Sequence, residues 1–245
     1  MAGNPHLSAD MIARLVDIDD AIVRVAVAQS RHVDDATRDR LYALVEARRA
    51  DGDIDAKVAL SWSFTEPDWM RAAPLDERLS YLDSPHTIFR RVLAGSRDLP
   101  EEAWLRLDND PELSVRRTAA RRPDAPPDVL ERLVRAHGEV FHQRPLLVEH
   151  PNFPRHALRT FVDEPTPNVR YVALQDPELP VPALQELAAA EEPFLRRGVA
   201  RHPNITDVLL EHLLGDPNPE VADDAAANSA LRPTQMYRIL TAAGL

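Results

Sequence analysis

The chain has no cysteine among its 245 residues. That excludes disulfides, thiolate zinc sites, iron–sulfur clusters and a cysteine nucleophile. It has one lysine, Lys57, so nearly all of its 29 basic residues are arginine; this is a codon bias of high-GC genomes and says nothing of mechanism. Glycine is down to 7 residues and aromatics to 5%, a poor endowment for sheets turned by glycine. The start, MAGNPHLSADMIARL, has neither a basic opening nor an unbroken apolar stretch. No signal peptide or membrane span is therefore expected, and the expected location is the cytoplasm. Walker loops, GxSxG elbows, glycine-rich phosphate cradles and His-x-x-x-His with a third ligand are missing too. The chain reads as a non-enzyme with no catalytic residue, cofactor or metal site.

What is plentiful is proline, at 22 residues, beside 44% hydrophobic residues. That pairing suits many short helices begun by prolines. The net charge of −11 opposes a protein built to coat nucleic acid unless cations gather on one face. They gather little: residues 1–85 carry 10 basic and 16 acidic side chains, 86–160 carry 13 and 11, and 161–245 carry 6 and 13.

Self-similarity decides the fold class. VRRTAARRP, VRYVALQDP, LRRGVARHP and VADDAAANS begin at Val115, Val169, Leu195 and Val221. Further copies begin at Val23, Ala56, Phe89 and Gln143, making eight, with steps of 26–28 residues from Phe89 onward. The earlier 33-residue steps imply insertions near 47–55 and 64–74, so 1–96 is divergent and 97–245 regular. A second word follows each first: LPEEAWLRL, APPDVLERL, FPRHALRTF, LPVPALQEL and ITDVLLEHL, apolar at positions one, six and nine. Apolar residues three apart line one helix face, and proline is tolerated in a first turn because its N–H has no partner there. A helix pair of this size cannot bury its own face, so neighbours must stack. The expectation is all-α: one α-solenoid domain over 1–245, of about eight helical pairs plus a C-terminal cap.

The composite P-x-L/A-P-x-x-x-L-x-x-L-x-x-D-P-x-x-x-V-R-x-x-A-A resembles the variant leucine-rich repeat, a relative in style of HEAT and armadillo repeats. The resemblance is clearest over 97–239. It implies helix pairs, the shorter often 3₁₀-like, wound into a right-handed superhelix. One branch of that family carries an N-terminal cysteine cluster for iron and sulfur, which this chain lacks. Fold families of this kind host many functions.

Two columns of polar residues matter for function. Directly after the Val column stand Arg24, Lys57, Arg90, Arg116, Arg144, Arg170 and Arg196. A cation demanded by the repeat itself reads as a structural ladder to acidic residues at helix starts, such as Asp110, Glu139, Glu164, Glu191 and Asp216. One position on, and again four residues later, the positions share a face and vary. This strip holds Trp62, Arg91, Arg117, Arg121, Tyr171, Gln175, Arg197 and Arg201. The exposed face of the second helix commonly lines the groove of a solenoid, so the strip is the expected partner-binding surface. Its arginines suggest a protein or peptide partner with acidic groups. The alternative is nucleic acid, as in HEAT-like DNA-repair proteins; against it, Glu149 and Tyr171 break the basic stripe. His150 and His202 recur in a helix-entry column with Arg122, Asp176 and Asn228, and read as caps.

Overall fold

The computed structural model describes residues 8–61, 66–139 and 145–242. Every regular element among them is helical, and the chain packs as two compact units, Met1–Arg122 and Pro123–Leu245. The first unit runs α1 (Ala9–Val16), α2 (Ala21–Ala28), α3 (Asp35–Ala50), α4 (Ile54–Ser61), α5 (Trp69–Ala72), α6 (Leu75–Leu79), α7 (Thr87–Ala94), α8 (Glu101–Asp108) and α9 (Leu113–Ala119). The second opens with α10 (Pro127–His137), 3₁₀ segments at Leu147–Glu149 and Arg155–Asp163, and α11 (Pro167–Arg170) with a 3₁₀ turn at Tyr171–Gln175. It closes with α12 (Val181–Ala188), α13 (Pro193–Ala200), α14 (Asp207–Leu214), α15 (Pro219–Ala226) and α16 (Pro233–Ala242). Among the described residues no helix is long and apolar enough to cross a membrane.

The repeated words become the helices. First words form α2, α4, α7, α9, the 147–149 segment, 167–175, α13 and α15; second words form the helices between them. In the Val column Ala56, Phe89, Val115, Leu195 and Val221 are fully enclosed and Val169 is buried. Second-word triplets are buried in register: Leu99, Trp104 and Leu107; Ala125, Leu130 and Leu133; Phe153, Leu158 and Phe161; Leu179, Leu184 and Leu187; Ile205, Leu210 and Leu213. Most of these helices are eight residues long, too short to persist in isolation. Roughly four large apolar side chains per repeat, at about 1.5–3 kcal/mol each, hold them by stacking.

Proline acts one position earlier than the first-turn reading implies. Pro100, Pro126 and Pro180 are the capping residues ahead of α8, α10 and α12, extended at φ −68°, −64° and −61°. The ring fixes φ near this value, so the chain enters each helix already turned. Pro127, Pro193 and Pro219 do occupy the first turn. Of the two insertions, the first lies at the end of α3, which reaches 16 residues, and the second contains α5. In the first unit α4 packs mainly on α2 and α3, while α7 packs mainly on α9 and α5.

Candidate partner-binding surfaces

The arginine ladder is real, and its rungs follow an arithmetic. Arg90 Nε and Nη2 donate to Asp110 at 2.7 and 3.2 Å, and its Nη1 donates to the Ser84 carbonyl at 2.5 Å. Arg196 repeats this with Asp216 at 2.7 and 3.0 Å and with the Ala190 and Glu191 carbonyls at 2.8 Å. In both cases the aspartate lies 20 residues after the arginine. Where that position is alanine, as at Ala136 and Ala190, the cation turns elsewhere. Arg116 donates to the Asp110 and Pro111 carbonyls, and Arg170 to the Val162 carbonyl and Glu186. Asp110 and Asp216 also close a turn, each accepting the N–H two residues on, from Glu112 and Asn218 at 2.8 Å. Arg196 holds the Asp216 carboxyl below its ordinary value against the upward pull of burial. Arg144 lies outside the described residues. Of the other acidic residues assigned to the ladder, Glu164 instead meets Arg135, and Glu139 accepts the Val148 N–H at 2.8 Å.

The helix-entry column shares one task. His150 and His202 Nδ1, Asp176 Oδ1 and Asn228 Oδ1 each accept the backbone N–H two residues on, at 2.8–3.1 Å. An N–H aimed at Nδ1 requires a lone pair there, so the His202 ring carries its proton on Nε2, which donates to the Asp176 carbonyl at 2.8 Å. Both His202 nitrogens are therefore engaged by backbone. Arg122 has no acceptor to offer, and its guanidinium instead forms a buried two-bonded pair with Asp108, 2.7 Å each, over the face of Trp104 at 4.6 Å.

The strip itself behaves differently in each unit. In the second, Tyr171, Gln175 and Arg197 are half-buried and Arg201 is exposed. Gly198 lets the Tyr171 ring lie against α13: a Cβ there would stand 2.9 Å from the ring and 2.4 Å from Leu174 Cδ1. Phe194, itself exposed, meets Tyr171 with ring centroids 5.9 Å apart. Arg197 and Arg201 converge on one carboxylate of α15, Asp224, at 2.7 and 2.6 Å, and Arg197 also meets Glu220. Burial pushes the Asp224 carboxyl up, but hydrogen bonds from Arg197 and Arg201 outweigh it and hold the group below its ordinary value. Arg197 and Arg201 thus meet acids of the next first-word helix, while Arg91 lies 4.0 Å from Glu66, which precedes it.

In the first unit Arg121 is exposed and Arg91 half-buried, whereas Arg117, expected on the surface, is only 6% exposed. Trp62 lies outside the described residues. Arg91 lines a cleft of about 780 Å³ with Val25 and Gln29 of α2 and with Tyr42, His86 and Glu112. Leu60 and Ala59 of α4 and Thr87, Ile88 and Arg91 of α7 line it together. His86 bridges it, its Nε2 2.8 Å from Asp39 Oδ1 and its ring stacked on Tyr42 at 4.1 Å. The Tyr42 hydroxyl is buried, and burial lifts the phenol to about 12 against the smaller opposing effects of a side-chain hydrogen bond with Gln29 and of the Arg38 charge. Sequence reasoning passed over Tyr42 and His86. The available signal was position: Tyr42 is one of only four tyrosines and lies in the longest helix, beside an insertion.

Residues 114–136, which span the end of the first unit and most of α10, match the family model described as leucine rich repeat variant. No curated protein and no solved structure matches the chain. The chain thus carries a leucine-rich-repeat-variant segment within an all-helical, HEAT-like repeat.

Proposed function

We propose that this chain is a non-enzymatic scaffold that binds a protein or peptide through the strip of its first-word helices. Support comes from the repeat identity at 114–136, since such repeats expose one variable face per helix. The observation that carries the reading is the surface formed by Tyr171, Phe194, Arg197 and Arg201. Aromatic and arginine side chains are enriched at interface cores, and here they lie together on α13, at Arg201 just after it, and on the Tyr171–Gln175 turn of the preceding first word. An acidic partner suits it because Arg201 is half-exposed, at 56%, and commits only one hydrogen bond, to Asp224. In the first unit Arg91, Gln29 and the cleft beside them extend the same kind of surface.

The nucleic-acid reading draws less support. Arg117 is buried, and Arg197 and Arg201 make one short cationic patch, too small to release many counterions from a phosphate backbone. The test is purification from the native cell of the intact chain and of an Arg121→Glu/Arg201→Glu variant, with mass spectrometry of what stays bound. A protein retained by the first and lost from the second is expected. Retention of nucleic acid with a steep salt dependence, and of no protein, would overturn the proposal.

A further inference from the structure

We infer that Arg197 and Arg201 form a carboxylate receptor, currently filled by Asp224, and that a partner's aspartate or glutamate takes Asp224's place. The inference rests on the proposed function and adds which atoms recognise the partner. Arg197 and Arg201 stand four residues apart on one face and both donate to Asp224, from Nε at 2.7 Å and from Nη2 at 2.6 Å. Two guanidinium groups on one carboxylate define the ligand's chemistry, because the fork geometry matches a planar anion. Asp224 belongs to α15, the neighbouring first-word helix, and approaches from the side. With Glu220, which also pairs with Arg197, it stands in for the anion and does not close the site: Arg201 keeps 56% of its side chain in solvent and Arg197 33%. Next to Arg197 the Tyr171 ring rests on Gly198 and against Phe194, which is 37% exposed. This apolar shelf beside the clamp calls for an apolar side chain close to the carboxylate. The partner is therefore an acidic peptide segment in which a glutamate or aspartate stands beside a large apolar residue.

The exchange is testable with defined probes: fluorescein-labelled hexapeptides, one alternating glutamate and leucine, the other alternating lysine and leucine, read by anisotropy at low salt. The acidic peptide should bind the wild type and the basic one should not. Asp224→Asn removes the internal competitor and should tighten acidic-peptide binding roughly tenfold, about the worth of one charge-assisted hydrogen bond. Arg197→Gln/Arg201→Gln should abolish it. A second readout needs no variant: the carbon-13 titration of Asp224 should move up toward the ordinary aspartate value when the peptide saturates the wild-type protein, because its arginines have been taken. Acidic-peptide binding that is unchanged or weakened by Asp224→Asn, with an Asp224 titration unmoved by peptide, overturns the receptor while leaving the scaffold reading standing. Failure of every form of the protein to bind the acidic peptide overturns both.

Discussion

Breaking the buried pair beneath Trp104 gives the sharpest stability test of the repeat packing. Arg122 and Asp108 are 7% and 4% exposed, and Arg122 supplies the two side-chain hydrogen bonds that Asp108 accepts, each 2.7 Å. Arg122→Met strands a carboxylate in the interior, at a cost of about 3–5 kcal/mol. The lost contact between guanidinium and indole, centred at 4.6 Å, adds about 1 kcal/mol. Asp108→Leu strands the cation instead, at a similar cost. The double variant buries two apolar side chains of similar bulk and leaves no charge, so it should lie within about 2 kcal/mol of the wild type. The coupling between the two changes is therefore expected to exceed about 2 kcal/mol. Urea unfolding followed by tryptophan fluorescence measures it. Trp62, Trp69 and Trp104 all fall in the unit Met1–Arg122, so the signal reports that unit. Costs below about 1 kcal/mol for each single change, or costs that simply add in the double variant, would refute the reasoning.

Other expectations follow from local geometry. Gly198→Ala should lower stability by roughly 1–2 kcal/mol despite better helix propensity, because its Cβ would press on Tyr171 and Leu174; a thermal melt that rises instead would contradict the packing described. Asp98 and Asp216 are held below their ordinary value by Arg78 and Arg196. Their folded-state values lie under the unfolded ones, so the stability they add is complete above the ordinary aspartate value of 3.8 and is lost as pH falls through the folded values. Circular-dichroism melts should therefore be flat with respect to these groups near neutrality and fall in acid below about pH 4, and Asp216→Asn should shrink that acid loss.

The helical architecture was legible because it is written in apolar columns that recur at fixed steps, and burial follows those columns residue by residue. The ladder was legible for the same reason, although its partners depend on whether an aspartate stands 20 residues on. Surface chemistry was harder to read. Arg117 and Arg197 hold the same place in the words VRRTAARRP and LRRGVARHP, but one is 6% exposed and the other keeps a third of its side chain in solvent. Arg117 ends up enclosed, while Arg197 and Arg201 find Asp224 on α15. That aspartate sits in the least typical copy, VADDAAANS, where the Arg of the ladder is Ala222. The Tyr42–His86 stack and its cleft were invisible for a different reason. Tyr42 and His86 belong to none of the repeated words, and periodicity describes only what repeats.

Site-specific photo-crosslinking tests the central claim most directly. A benzophenone amino acid is placed at Gln175 on the strip, or at Gln185 on the exposed side of α12, in the native cell. The account predicts that light joins a single protein partner to the Gln175 position, that Gln185 gives none, and that Arg197→Gln/Arg201→Gln removes the product. Crosslinks to nucleic acid, or to a protein from Gln185 alone, would contradict it.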